Sequence, residues 1–110
     1  MRIAIVDDLV NERALLRNRL EQALNGRSVQ TDICEYANGE AFIQAAEKQR
    51  FSAAFLDIYM PGANGIDTAR ALRAFDPDCL LIFTTTSTDH ALEGFQVRAM
   101  HYLVKPFTQK

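Results

Sequence analysis

The sequence has few of the features that mark disulfide-stabilised, zinc-binding or nucleic-acid-binding proteins. Its 110 residues include no tryptophan and only two cysteines, Cys34 and Cys79, and its formal net charge is −2. The cysteines form no C-x-x-C pair, so a metal or disulfide pair is not favoured and both are expected to be small buried hydrophobes. The weak net charge gives no global attraction to nucleic acid or to anionic lipid.

Long apolar runs are also missing. No stretch approaches the ~18 apolar residues that a transmembrane helix needs, and the opening segment MRIAIVDD is too short for the apolar part of a signal peptide. We therefore expect a cytoplasmic chain with no membrane segment. With 48% hydrophobic and 24% charged residues, the composition excludes disorder and fits one packed domain over residues 1–110.

Short apolar runs alternate with amphipathic stretches along the whole sequence. In the first amphipathic stretch, Leu16, Leu20 and Leu24 recur at four-residue spacing, with Asn11 as the expected N-cap and Gly26 as the expected stop. The pattern as a whole predicts strands at residues 3–6, 29–37, 52–57, 79–86 and 101–107, and helices at residues 11–24, 39–49, 66–75 and 89–97.

Three of the predicted strands, at residues 3–6, 53–56 and 79–83, are apolar throughout instead of alternating. Such a pattern is typical of strands buried on both faces of a parallel sheet that is covered by helices. We therefore predict an α/β doubly wound fold with a five-stranded parallel sheet. The more polar strand at residues 29–37 is expected nearer an edge.

Polar residues stand where the predicted strands end. Asp7 and Asp8 end the first, Asp57 ends the third just before a Pro-Gly-rich loop, a threonine run at 84–86 ends the fourth, and Lys105 ends the fifth. Right-handed crossovers place the carboxyl ends of parallel strands at one edge of the sheet, where open α/β sheets bind ligands. These side chains are therefore expected to converge.

Three converging carboxylates repel one another by about 4 kcal/mol per pair at ~4 Å and an effective dielectric constant near 20. Such a cluster either takes up protons or binds a cation. A site with few protein carboxylates and several water ligands is typical of Mg²⁺. Lys105 adds a positive charge and Thr85 a hydroxyl, which suits a dianionic tetrahedral group. A carboxylate can attack phosphorus to form an acyl phosphate, and Gly62 and Gly65 permit a tight turn with close backbone approach.

These residues lie in segments that resemble the receiver domain of two-component response regulators: VDD (6–8), LDIYMPGANGID (56–67), FTTT (83–86) and YLVKPF (102–107). The order and spacing agree over essentially the whole chain. The segments IFTTT, ALEGFQV and YLVKPF are most similar to receivers that precede LytTR-type DNA-binding domains. The resemblance implies a flavodoxin-like sheet with strand order 2-1-3-4-5.

The resemblance also implies roles for the site residues. Asp57 would be the phosphoacceptor. Asp8 would bind Mg²⁺ directly together with Asp57, Asp7 would hold a metal-bound water, and the backbone carbonyl of Tyr59 would be a further metal ligand.

A second group of residues would carry the signal onward. The resemblance implies that Lys105 pairs with a phosphoryl oxygen and that Thr85, twenty positions earlier, is the switch hydroxyl. Tyr102 would be the aromatic residue that swings inward when Thr85 moves toward phosphate.

The resemblance further implies a sensor histidine kinase as partner and regulation of transcription through a C-terminal LytTR-like domain that lies outside this chain. No catalysis is expected beyond self-phosphorylation and self-dephosphorylation. Receivers usually continue with a fifth helix, whereas only residues 108–110 follow the KPF segment. We therefore expect a domain truncated before its last helix, with the uncovered flank buried against a second copy in a homodimer.

Two other functions stay open. A Mg²⁺-dependent phosphohydrolase also uses an aspartate nucleophile, but such enzymes usually place a general-acid carboxylate at the position that Tyr59 occupies here. An unphosphorylated receiver that serves only as a binding module is the second alternative. A nucleotide-binding fold is weaker, because no G-x-G-x-x-G follows the first strand.

Overall fold

Strands and helices alternate through the computed structural model of the chain, which describes residues 1–25, 30–60, 62, 64–85 and 101–104, with Thr85 and the last four residues described by their backbone. The described strands are β1 (Arg2–Val6), β2 (Asp32–Tyr36), β3 (Ala53–Asp57), β4 (Leu80–Thr85) and β5 (His101–Val104). The described helices are α1 (Val10–Leu24), α2 (Gly39–Lys48) and α3 (Gly65–Arg73). The helix predicted at residues 89–97 lies outside the described residues.

The five strands form one parallel sheet in the order β2-β1-β3-β4-β5. This confirms the predicted doubly wound fold and strand order, and it places the polar strand β2 at an edge. The register sets Val6 beside both Tyr36 and Leu56, and it sets Asp57 beside Thr84. The carboxyl ends of the strands therefore lie level with one another.

The apolar strands are buried as their composition predicts. Ala4, Val6, Ala54, Leu56 and Leu81 are fully buried and belong to one core cluster. The same cluster receives apolar side chains from the two helices that pack on this face of the sheet, namely Phe42, Ala46, Ile66, Ala69 and Leu72. In the part of the chain that is described, no helix is both long and apolar enough to cross a bilayer.

The cysteines are unpaired, as expected. Cys79 is buried, and burial raises the pKa of its thiol to about 11 because the thiolate is poorly solvated there. Cys34 is only half-buried on the edge strand. Cys79 therefore serves the core as a small apolar side chain, whereas Cys34 only partly does.

The predicted start of α1 was wrong. Asn11 is not the N-cap, because the helix begins at Val10 and Leu9 takes the capping position without a side-chain cap bond. The turn is closed instead by the carboxylate of Asp7, whose Oδ1 accepts the N–H of Leu9 at 3.0 Å. The predicted stop, Gly26, lies outside the described residues, and the other described boundaries differ from prediction by at most three residues.

Both apolar packing and ion pairs with β2 hold α1 against the sheet. Leu16 is its buried residue, while Leu20 and Leu24 are half-buried. Across the gap, Glu35 of β2 accepts hydrogen bonds from Arg17 and, at 3.2 Å, from Nε of Arg13. The bond from Arg17 and the weaker one from Arg13 lower the pKa of Glu35 against the opposing effect of burial.

This ion-pair cluster predicts a pH-dependent stability difference. At pH 7, Glu35→Gln should lower the free energy of unfolding by about 1 kcal/mol, since the carboxylate is partly buried and doubly hydrogen-bonded. The folded-state pKa of Glu35 lies below its ordinary value of 4.5, so the difference should be constant above that pH and disappear as the pH falls below it. Urea unfolding of both proteins across this range measures it.

The matched control is Glu21→Gln, which removes a more exposed carboxylate from the same Arg17. It should change the free energy of unfolding by only a few tenths of a kcal/mol. A Glu35→Gln difference that persists unchanged at pH values low enough to protonate Glu35 in the folded chain would contradict the assignment, because the Glu35 carboxylate would then not be its source.

Candidate metal centre at the carboxyl edge of the sheet

Three carboxylates meet at the carboxyl edge of the sheet. Asp7 and Asp8 directly follow β1, Asp57 is the last residue of β3, and one oxygen from each lies within 4.8 Å of the others. Asp7 and Asp57 are 4% and 5% exposed, whereas Asp8 is exposed. The convergence of the three acids, which the strand pattern predicted, is confirmed, and the cluster is open on the side of Asp8.

The turn after β1 holds Asp7 by its backbone and by its side chain. Its N–H donates to the carbonyl of Tyr36 at 3.1 Å, which extends the ladder between β1 and β2 by one residue. Its carboxylate accepts from Leu9, and its carbonyl accepts from the guanidinium of Arg13 at 2.6 Å. The first acidic residue is therefore fixed before any ligand arrives.

The loop after β3 brings the start of α3 against Asp57. Ile58 donates its N–H to the carbonyl of Thr84 at 3.1 Å and accepts from the N–H of Gly65 at 3.0 Å. A Cβ on Gly65 would lie 2.3 Å from the carbonyl oxygen of Asp57, and Gly62 has a φ of +76°. Both glycines therefore have the roles that were predicted: one makes the turn and the other permits the close approach.

The electrostatics of the cluster favour a cation. Two like charges at most 4.8 Å apart repel by roughly 3 kcal/mol or more at an effective dielectric constant near 20. Carboxylate oxygens are the hard ligands that Mg²⁺ prefers. The oxygens of an octahedral Mg²⁺ lie about 3 to 4 Å apart, since each bond is about 2.1 Å long. The donor set therefore fits a small divalent cation after a modest side-chain adjustment.

The other predicted site residues are placed less completely. Thr85 ends β4 at the same edge of the sheet, where it pairs with Val104 of β5. Tyr102 of β5 lies beside Phe83 of β4. Tyr59 follows the phosphoacceptor candidate with a side chain that is 49% exposed. Lys105 lies outside the described residues, so its approach to the acids stays a prediction, as do the roles of Thr85, Tyr102 and the Tyr59 carbonyl.

Arg13 supports the site, and the sequence pattern did not predict this role. Arg13 lies on α1, is 15% exposed, and contacts both Asp7 and Glu35. The helix was assigned from its leucine spacing, which gives no information about the arginines between the leucines. Two arginines one helical turn apart, followed by a glutamate on the next strand, could have indicated this ion-pair cluster. The three residues can be recognised as partners only once β2 is known to lie beside β1.

Solved structures share this fold. The response regulator TrrA of Thermotoga maritima, in complex with Mg²⁺ and beryllium fluoride, superposes with a TM-score of 0.81 at 29% identity, covering 97% of this chain and 88% of that one. The chemotaxis response regulator CheY4 of Vibrio cholerae gives a TM-score of 0.81 at 27% identity, with 97% and 88% covered. The chain is thus similar in fold to response regulators.

The sequence pattern of the response regulator receiver domain matches residues 3–110, and the chain belongs to this family. Among curated relatives, the sensory transduction protein LytT of Bacillus subtilis is 32% identical over 110 residues, covering all of this chain and 44% of the relative. The transcriptional regulatory protein LytR of Staphylococcus aureus is 29% identical, covering 100% and 43%. These relatives support the predicted LytTR-type subgroup.

Family membership defines a phosphorylation-dependent signalling domain rather than a catalytic enzyme. The chain spans less than half the length of these relatives. A third relative, LytT of Oceanobacillus iheyensis, is 36% identical over 81 residues, which are 71% of this chain and 33% of the relative.

The contact between Gly65 and Asp57 yields a prediction. Gly65→Ala should lower the free energy of unfolding by about 1–3 kcal/mol, because the new methyl group meets backbone atoms that cannot rotate away. It should also weaken the binding of Mg²⁺, since the displaced backbone carries the carboxylate of Asp57. Urea unfolding and calorimetric Mg²⁺ titration measure the two effects.

Gly62→Ala is the matched control. A Cβ there meets only a flexible oxygen of Glu40 at 3.4 Å, so its cost is that of the positive φ, about 1 kcal/mol. Mg²⁺ should bind Gly62→Ala more tightly than Gly65→Ala. Equal metal affinities in the two variants would show that the close approach does not position Asp57.

Proposed function

We propose that this chain accepts a phosphoryl group on Asp57 in a Mg²⁺-dependent reaction with a sensor histidine kinase. The observation that carries the proposal is the convergence of Asp7, Asp8 and Asp57 at the carboxyl edge of the sheet. The TrrA structure, which holds Mg²⁺ and beryllium fluoride, supports the choice of metal and of a phosphoryl ligand.

The residues that would hold the metal are the carboxylates of Asp8 and Asp57, with Asp7 holding a bound water and the Tyr59 carbonyl as a further ligand. The burial of Asp7 suits an indirect role, because one of its oxygens already accepts from Leu9. The exposure of Asp8 leaves the cluster open to an incoming ion. When bound, Mg²⁺ supplies positive charge that offsets the carboxylates and polarises the phosphoryl oxygens.

The chemical step belongs to Asp57. One of its carboxylate oxygens forms a bond to phosphorus as the bond from phosphorus to the imidazole nitrogen of the donor breaks, and that nitrogen keeps the electron pair. The product is an acyl phosphate on the protein. The backbone of Asp57 is held by β3 on one side and by the start of α3 on the other, which keeps the nucleophile in a fixed position. Lys105 and Thr85 would bind the phosphoryl oxygens.

The phosphorylated state would be read through β4 and β5. Movement of Thr85 toward the phosphoryl group would be accompanied by rearrangement of Tyr102, and the pairing of β4 with β5 supports a link between them. Phosphorylation would bias an equilibrium between two existing conformations instead of creating a new one.

The output would come from a longer protein that contains this chain as its receiver module. Relatives of more than twice its length, one of them named a transcriptional regulatory protein, support a transcription regulator that binds DNA through a LytTR-like domain. This regulator would be cytoplasmic and would act as a homodimer. The exposed apolar side chains of Leu9, Val10 and Tyr59 follow the acidic residues in sequence, so apolar surface is available to the kinase beside the site.

A small phosphoryl donor tests the chemistry. With Mg²⁺ and phosphoramidate, intact-mass analysis should find one added phosphoryl group on the wild-type chain and none on Asp57→Asn.

In Asp8→Asn, the Mg²⁺ concentration for half-maximal phosphorylation should rise at least about tenfold, because a direct ligand is weakened.

Asp32→Asn is the matched control, since it removes an exposed carboxylate at the start of β2, on the opposite edge of the sheet. It should be phosphorylated like the wild type at every Mg²⁺ concentration. Undiminished phosphorylation of Asp57→Asn would overturn the assignment of the acceptor. No phosphorylation of the wild type in saturating Mg²⁺ would favour the unphosphorylated binding module.

A further inference from the structure

Arg13 links three elements behind the acidic cluster. From α1, its Nη1 donates to the carbonyl oxygen of Asp7 at 2.6 Å, and its Nε donates to Oε1 of Glu35 on β2 at 3.2 Å. Its side chain is 15% exposed. The guanidinium therefore acts as a rigid two-pronged donor to two acceptors in different elements, a geometry that its planar fork suits and a lysine cannot reproduce.

The acceptor on Asp7 belongs to the peptide group that joins Asp7 to Asp8. Because a peptide group is planar, fixing the direction of the Asp7 carbonyl also fixes the N–H and the Cα position of Asp8. The N–H and the carboxylate of Asp7 are held separately, by Tyr36 and Leu9. The hydrogen bond from Arg13 thus fixes the peptide group between Asp7 and Asp8, which leads directly to the exposed carboxylate of Asp8.

We propose that Arg13 is a positioning residue that sets the affinity of the acidic cluster for divalent metal by fixing the Asp7–Asp8 peptide. The inference rests on the proposed function, in which this cluster binds Mg²⁺. Groups that orient metal ligands from behind typically contribute 10- to 100-fold to metal affinity. The expected contribution of Arg13 is therefore about tenfold.

Glu35 makes this position compatible with a cation. A guanidinium beside a metal site would by itself repel the ion, but Glu35 supplies a compensating negative charge to both Arg13 and Arg17. Arg17 shares that carboxylate and donates to the carbonyl of Ile33 on the edge strand. The two arginines thus have the same charge and the same ionic partner, while Arg13 also holds the Asp7 carbonyl.

Substituting Arg13 and Arg17 separately gives a test in which loss of charge and loss of positioning change the Mg²⁺ affinity in opposite directions. Losing either positive charge should slightly strengthen the binding of Mg²⁺ through electrostatics alone. If Arg13 positions Asp8, Arg13→Gln should instead weaken it about tenfold, while Arg17→Gln should match or slightly exceed the wild type. Calorimetric titration with MgCl₂ measures these dissociation constants, and thermal unfolding verifies that each variant is folded.

Phosphorylation by phosphoramidate gives a second readout. The Mg²⁺ concentration for half-maximal rate should rise about tenfold in Arg13→Gln, in step with the dissociation constant, while the rate at saturating Mg²⁺ should stay within about twofold of the wild type. Should Arg13→Gln not fold, Arg13→Lys replaces it. A lysine keeps the charge but cannot reach both acceptors with fixed geometry, so its affinity should be several-fold weaker than that of the wild type.

The outcomes separate this inference from the proposed function. Failure of the wild-type chain to bind Mg²⁺ would overturn the proposed function and this inference with it. Wild-type affinity in a folded Arg13→Gln or Arg13→Lys, with Mg²⁺ binding intact in the wild type, would overturn the role of Arg13 alone. Equal weakening in Arg13→Gln and Arg17→Gln would also overturn it, because the effect would then belong to the packing of α1.

Discussion

The parallel register between β1 and β3 is the constraint on which the site depends. It pairs Val6 with Leu56, so the next residue of each strand, Asp7 and Asp57, emerges at the same level of the sheet. Both carboxylates are buried, and ionised groups in such places are retained only with compensating charge or hydrogen bonds. The hydrophobic core thus fixes two acidic groups at a place where a bound cation would lower the free energy of the folded chain.

Two structural supports keep this arrangement from relaxing. On the β3 side, the absence of a side chain on Gly65 lets the start of α3 contact the backbone of Asp57. On the β1 side, Arg13 and the Asp7 carboxylate close the turn before α1. In both places these contacts fix the backbone near the acids without a ligand, so little reorganisation is needed when one binds.

The parts of the fold that could be predicted are those that depend on residues close together in the sequence. Continuous apolar runs such as Ile3–Val6 identified buried parallel strands, and acidic residues placed at their ends predicted the convergence of Asp7, Asp8 and Asp57, which the structure confirms. The order of the strands came from resemblance to a family, because the pattern of a single strand does not indicate its neighbours.

The parts that could not be predicted depend on contacts between distant residues. Asn11 has the right chemistry for an N-cap, yet the turn is closed by Asp7, whose position relative to the helix follows from the sheet. The link from Arg13 to Glu35 joins residues 22 positions apart and needs the β1–β2 pairing before it can be recognised. The roles assigned to Thr85, Tyr102, Lys105 and the Tyr59 carbonyl stay predictions of the family resemblance.

Asp7 and Asp8 are far from Asp57 in sequence, and the three residues are proposed to bind one divalent cation at the carboxyl edge of the sheet. Paramagnetic broadening by substoichiometric Mn²⁺, which takes the same oxygen ligands, tests this proposal directly in the amide spectrum of the wild-type chain. Early loss is expected for the signals of Asp8, Leu9, Ile58 and Tyr59. The signals of Arg2, about 17 Å before Asp7 along β1, and of Ala53, about 13 Å before Asp57 along β3, should be lost much later. Broadening centred on the opposite edge, or spread over the exposed acids of the surface, would contradict the proposal.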